Sequence, residues 1–388
     1  MWGFDRVNAE EAWSLSRGAG ITIAVIDTGL DFNHEDIFGN IYTNSAEMDG
    51  LAGVDDDGNG LIDDIHGWDF VNSDNDAYDD HGHGTHVSGI AAAVSDNGKG
   101  IAGIAPDSKI LPIKVLDAFG SGTIQNVIHG IRYAADLGVS VINMSLGIAK
   151  RYLSSPLLVE FQNAINYALS RGSLVVTAAG NESVKTSSTA PAGLNNTIAV
   201  GATDSLDKKA YFSNKNPDLT APGVYIASLR SGGGYVYMSG TSMASPYVAG
   251  AAALILSYYG SAYATFHYTP EQVYNDVYTR LTNSALDLGK RGYDANFGYG
   301  LLDAYKALTI KTNAFFSNVN QSGSGSSFNS TLNFYSTFRS FSIGENTLHF
   351  SPEWRTPFTQ GNWYRISALE SPQPKKKKPS FIRKRFLT

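Results

Sequence analysis

Residues 21–27 read Ile-Thr-Ile-Ala-Val-Ile-Asp, six apolar or β-branched side chains in a row closed by an acid. A strand with one wet face would alternate apolar and polar residues, so an unbroken run predicts a strand covered on both faces. Shorter runs of the same kind recur at 110–116, 141–146, 174–178 and 197–200. Helix-like patterns separate them at 84–94, 124–137 and 157–170. Strand and helix in alternation predict a parallel sheet with crossover helices on both faces. A long helix is expected over 242–258, where the small residues 250–253 permit close burial. Another is expected from Thr269-Pro270-Glu271, with Thr269 as N-cap and Pro270 in the first position. The fold class is therefore α/β, three layers with a mainly parallel central sheet, closed by a helix over 301–308.

Residues 1–310 make up that unit. Beyond them the composition turns to Ser, Asn, Phe and Tyr. Residues 311–370 read as a poorly defined extension, with QSGSGSS at 321–327 as a linker and 329–350 as a small β-appendage. Residues 371–388 read as a basic, disordered tail. The 388 residues contain no Cys, which excludes disulfides and thiolate chemistry. The longest apolar run, near 248–256, is too short to span a bilayer.

The net charge of −7 is unevenly spread. From Lys375 onward the last fourteen residues hold seven of the 29 basic residues and no acid, leaving 22 basic against 36 acidic elsewhere. That sign disfavours nucleic-acid binding by the main body. Between Arg17 and Lys99 there is no Lys or Arg, yet ten Asp fall between positions 55 and 80. Such a stretch is either loose and solvated or neutralised by cations.

Three motifs carry candidate chemistry: VIDTG at 25–29, HGHGTHVSG at 81–89 and SGTSMASP at 239–246. Ligand sites of open α/β sheets gather at the carboxyl ends of strands, so all three can meet on one rim. A Ser hydroxyl needs a base to become a nucleophile, His titrates in the right range, and a carboxylate can fix the His tautomer. Asp27, His83 and Ser242 supply those types. Each has a plain alternative: Asp27 as a turn cap, Ser242 as an N-cap, Asn181 as a turn residue, and His81, His83 and His86 together as a zinc site.

In their order these motifs, with VINMSLG, AAGN, IAVGA and APG, resemble the subtilisin-like serine peptidases, over residues 2–308. The resemblance implies a serine endopeptidase of broad specificity acting on protein or peptide substrates through an acyl-enzyme. It implies Asp27, His83 and Ser242 as catalytic triad and Asn181 as oxyanion donor. His86 then becomes a buried structural residue, and the zinc reading recedes. Ser145, Leu146 and Gly147 would form one edge of the peptide cradle and Gly120, Ser121 and Gly122 the other. Thr189 would lie in the wall of the P1 pocket, at a position where Gly is common, and hinder a large side chain. Esterase action by the same machinery is a rival, but the Ser does not sit in a G-x-S-x-G elbow.

Residues 55–66 place oxygen-bearing side chains at calcium-loop positions: Asp55, Asp57, Asn59 and Asp63, with Gly60 at the turn. Position 66 is His rather than Glu, so the loop is only EF-hand-like, and Asp64 is a candidate closing carboxylate. The resemblance implies a second calcium near Asp36 and Asn97. Calcium is thus the expected cofactor, structural in role, with no organic cofactor. The chain begins inside the match, so a signal peptide and an N-terminal pro-domain are expected outside it. A secreted monomer without membrane span follows as the expectation.

Overall fold

A computed structural model describes residues 1–312 and the backbone of 365–368. The appendage, linker and tail expected beyond 312 otherwise lie outside the described residues. Among the described residues seven strands form one sheet in the order Leu219–Pro222, Thr197–Thr203, Leu174–Ala178, Val141–Met144, Thr22–Asp27, Lys109–Lys114, Trp68–Asp69. Every neighbouring pair is parallel. Thr22–Asp27 lies inside the sheet and is buried from Ile23 onward, as its unbroken apolar run predicts.

The pleat sorts this strand's side chains between two helical layers. Ala24 and Ile26 join a core with Ile128 and Ile131 of the helix Ile124–Asp136 and with Phe161 and Ile165 of Ser155–Ser170. Ile23, Val25 and Asp27 therefore face the opposite layer, made by His83–Ala92 and Thr241–Thr265, which pack on each other. The parity of Asp27 sends its carboxylate to the side where His83 begins a helix.

Thr241–Thr265 has small or apolar residues on all sides and is buried from Thr241 through Leu256, the pattern of a helix enclosed by protein. A Cβ on Gly250 would lie 2.6 Å from the Cβ of Ile104, so only glycine permits this approach. The helix Pro270–Asn283 carries a complete capping box between Thr269 and Gln272. The closing helix spans Ala304–Thr309, capped by Asp303.

The apolar run at 141–146 does not stay in one strand. Val141–Met144 keeps its place in the parallel sheet, and Leu146–Ala149 enters a separate antiparallel sheet in the order Ser121–Thr123, Arg365–Ala368, Leu146–Ala149, Thr189–Ala190. Leu219–Pro222 to Trp68–Asp69 thus make the platform, and this second sheet stands beside its carboxyl rim.

Candidate active site

Asp27 ends its strand with its carboxylate fully buried. Its Oδ1 accepts the Thr28 N–H at 2.8 Å and lies 2.7 Å from His83 Nδ1. Both side chains are inaccessible to solvent, so this contact is made in a low-dielectric setting where it orients the ring strongly.

His83 opens its helix behind Gly82, whose φ of 100° and lack of side chain leave the first N–H groups without a local cap. Asp79 supplies the cap from outside the helix. Its Oδ1 accepts from Gly82 N–H at 2.7 Å, His81 N–H at 3.1 Å and Thr28 Oγ1 at 2.8 Å. Its Oδ2 accepts from Thr85 N–H at 2.8 Å and Thr85 Oγ1 at 2.6 Å. Thr28 Oγ1 in turn accepts the Gly84 N–H at 2.9 Å. Asp79 and Thr28 thus tie the strand end to the helix start and fix His83 relative to Asp27. Sequence reasoning passed over both, although an acid shortly before a helix is a start signal.

His86 is buried on the same helix, with Nε2 at 3.1 Å from the Ile226 carbonyl and 3.2 Å from that of Val236. Burial, seconded by nearby His83, pushes its pKa down to about 3. Among the described residues the three neighbouring histidines form no metal-ligating group.

Ser242 lies in the first turn of Thr241–Thr265, and its surroundings are dictated by Pro246. A proline has no N–H, so the Ser242 carbonyl loses its i+4 helical donor. The Ser145 hydroxyl takes that place at 2.9 Å, and the Ser242 hydroxyl donates to the Ser145 carbonyl at 2.9 Å. Behind this clasp Asn143 Nδ2 donates to Ser145 Oγ at 3.0 Å, and Ser245 Oγ donates to Asn143 Oδ1 at 2.6 Å. The 25-residue helix thereby presents its amino end at the rim, where its dipole favours negative charge.

Asn181 follows the strand Leu174–Ala178 through Gly180, whose φ is 107° and whose Cβ, if present, would lie 2.3 Å from Asn214 Nδ2. Glycine is therefore required there on two counts. Asn181 Oδ1 accepts from Thr241 N–H at 3.0 Å and Thr241 Oγ1 at 2.9 Å. With the amide oxygen so held, the donor end of the amide is turned away from Thr241.

Gly122 and Ser121 belong to one short strand, preceded by Gly120, and Leu146 and Gly147 belong to another, preceded by Ser145. The strand Arg365–Ala368 lies between the two and pairs antiparallel with both. Thr189 is buried in a strand paired with Ile148 and Ala149. Its hydroxyl donates to the Thr186 carbonyl at 2.9 Å and is spent on its own loop.

The acidic loop converges on Glu47, Asp57 and Asp64, whose carboxylate oxygens lie within 4.8 Å of one another. Of the residues expected from the loop spacing, Asp57 belongs to this group, while Asp55 and Asp63 lie outside it. Asp55 accepts from the N–H groups of Asn59 and Gly60, and Asp63 accepts from that of Gly53. Asn59 donates through Nδ2 to Asp57 at 3.0 Å and to Asp64 at 3.0 Å. Glu47 comes from a separate short helix, too far back for loop spacing to include it. Burial raises the pKa of Asp64, although hydrogen bonds from Tyr133, Asn59 and Asn44 oppose the shift. Among the described residues none of the three acids forms an ion pair with Lys or Arg. At the other expected site, Asp36 accepts from Asn97 Nδ2 at 2.6 Å, Ile101 N–H at 2.9 Å and the Tyr235 hydroxyl at 3.3 Å.

Comparison with known proteins matches residues 18–300 to the family model described as the subtilase family. The chain is 40% identical over 312 residues to a thermophilic serine proteinase of Bacillus sp. (strain AK1), covering 80% of this chain and 67% of that protein. It is 38% identical over 312 residues to thermitase of Thermoactinomyces vulgaris, covering 79% and 95%. Subtilisin Savinase of Lederbergia lenta is 35% identical over 309 residues, covering 79% and 97%.

Proposed function

The chain belongs to the subtilase family and is a serine endopeptidase, and from that premise we propose that Ser242, His83 and Asp27 are its nucleophile, general base and orienting carboxylate. The observation that carries this reading is the buried 2.7 Å contact between Asp27 and His83 on the rim where Ser242 begins its helix. Asp27 holds the proton of His83 on Nδ1, which leaves Nε2 as the basic nitrogen. As Ser242 Oγ bonds to the carbonyl carbon of the scissile amide, Nε2 takes the hydroxyl proton. Negative charge collects on the former carbonyl oxygen. The Asn181 side-chain N–H and the Ser242 backbone N–H stabilise it, aided by the helix dipole. The intermediate collapses, the C–N bond breaks, and His83 hands its proton to the leaving amine. Water then repeats the sequence on the ester and restores Ser242.

The peptide would lie between the segment of Gly120, Ser121 and Gly122 and that of Ser145, Leu146 and Gly147. Backbone pairing gives affinity with little demand on side chains, so broad specificity follows. By the family pattern Thr189 would stand in the wall of the P1 pocket and disfavour large P1 residues.

A structural calcium would be held by Glu47, Asp57 and Asp64, with Asn59 and Asn44 orienting the carboxylates. Oxygen donors alone suit a hard cation. Three clustered carboxylates, with no cationic side chain paired to them among the described residues, repel one another, and a divalent ion removes that cost. Among the described residues no helix is long and apolar enough to cross a membrane. A secreted, monomeric enzyme matured from a pro-domain precursor fits this family membership.

A fluorophosphonate probe tests the assignment. It should label the parent and fail to label Ser242→Ala. Equal labelling of both would move the nucleophile elsewhere.

A further inference from the structure

The strand Arg365–Ala368 comes from the region after the closing helix, yet it pairs with the catalytic unit. Arg365, Ile366 and Ser367 stand opposite Thr123, Gly122 and Ser121 in antiparallel register. On its other edge Ser367 and Ala368 stand opposite Gly147 and Leu146. These are the two segments that form the cradle. Without an inserted strand each would present an open edge, which is a template for an added chain. The direction of the insert is equally defined. It runs from Thr123 toward Leu146, the neighbour of Ser145, whose carbonyl accepts the Ser242 hydroxyl. Its carboxyl end thus points at the nucleophile, as the acyl side of a substrate must.

We propose that residues 365–368 are an internal occupant of the peptide cleft, a tethered segment that competes with substrate for the same backbone ladder. The proposal rests on the reading of that cleft as the substrate cradle. Backbone pairing on both edges supplies the recognition, so the segment needs no favoured side chain to bind. Tethering makes its binding intramolecular, and its competition is set by effective concentration rather than by protein concentration. An extended peptide must displace it before Ser242 can act.

The test uses the full chain and the variant Ile366→Pro/Ser367→Pro, which removes two backbone donors and cannot sustain a central strand. With an extended peptide anilide as substrate, the variant should show a lower KM at unchanged kcat, lower by about tenfold for a segment that fills the cleft about nine-tenths of the time. A synthetic peptide of residues 363–368 added to the variant should raise KM again without changing kcat. Equal KM in parent and variant, with no competition from the peptide, would overturn the proposal. Fluorophosphonate labelling of Ser242 is followed in parallel, because the small probe needs no strand pairing. Labelling with equal KM rejects the occupant alone, whereas absence of labelling in both proteins rejects the catalytic reading and the occupant with it.

Discussion

Asn181 illustrates how one side chain is given a role by the groups around it. Thr241 holds its amide oxygen through two hydrogen bonds, so the amide cannot flip without losing both. That preorganisation is what an oxyanion donor needs, since the group must not reorganise as charge develops. Asn181→Ala should lower kcat by about 10²–10³ with little change in KM, a figure that comes from a subtilisin and is carried over by kinship. Steady-state kinetics decide it, and a kcat within threefold of the parent, roughly 0.6 kcal/mol of barrier, would remove Asn181 from the role. His86 makes a different residue-scale prediction. Its pKa is pushed down to about 3 by burial, so the folded protein keeps it neutral while the unfolded chain protonates it near 6.5. Its contribution is therefore intact above about pH 6.5 and is lost as pH falls toward about 3, at about 1.4 kcal/mol per pH unit. Denaturant melts of His86→Gln against the parent should show a shallower loss of stability below pH 6.5. Parallel pH profiles would mean that His86 is not the acid-sensitive group.

The amino end of the helix Thr241–Thr265 is a joint between two elements. Pro246 deprives the Ser242 carbonyl of its helical donor, and Ser145, just before the strand Leu146–Ala149, replaces it. The same residue offers its own carbonyl to the Ser242 hydroxyl. Ser242 and the start of the strand Leu146–Ala149 are thereby held in one register. Ser145→Ala leaves a buried carbonyl without its donor and should cost about 1–3 kcal/mol of stability. It should also lower kcat, because the first turn of the helix loses its anchor. The paired change Ser145→Ala/Pro246→Ala returns an N–H to the helix and should recover most of the stability. A Ser145→Ala protein with parental stability and kcat would show that the clasp is incidental.

At the scale of the whole molecule the charge imbalance has two outlets. Many acids of the long stretch without Lys or Arg are consumed as acceptors of backbone N–H groups: Asp79 at the helix start, Asp55 and Asp63 in the loop, Asp69 at its own turn. Asp80 is paired with the buried Lys114 at 2.6 Å. Glu47 accepts the N–H groups of Asp56, Asp57 and Asp63, and Asp57 that of Asn59, yet with Asp64 these two still form a carboxylate cluster. A cation that binds only the folded chain at a hundredfold excess over Kd stabilises it by about 2.7 kcal/mol. EDTA should accordingly lower the melting temperature, and Glu47→Gln/Asp64→Asn should respond far less. Because burial raises the pKa of Asp64, protonation should displace the ion at a higher pH than an ordinary carboxylate would allow. A double variant that responds to EDTA as the parent does would place the stabilising ion elsewhere.

By itself the sequence determined what depends on neighbours in the chain. The unbroken run before Asp27 specifies a doubly covered strand, the Thr269-Pro270 pair specifies a helix start, and the motifs around Asp27, His83, Ser242 and Asn181 specify the family. These signals are local, because strand burial, capping and turn chemistry act over a few residues. The split of the 141–146 run into two strands was not legible, since apolar character alone does not say to which sheet a residue belongs. Nor was Glu47 visible as a member of the acidic cluster, or Asp79 as the cap that holds His83. Each gains its role from partners brought close by folding rather than by spacing. The same holds for the strand Arg365–Ala368, which reads as plain extension and lies between the strands Ser121–Thr123 and Leu146–Ala149. Backbone pairing is indifferent to side-chain identity, so only the tertiary structure could decide which segment pairs between these two strand edges.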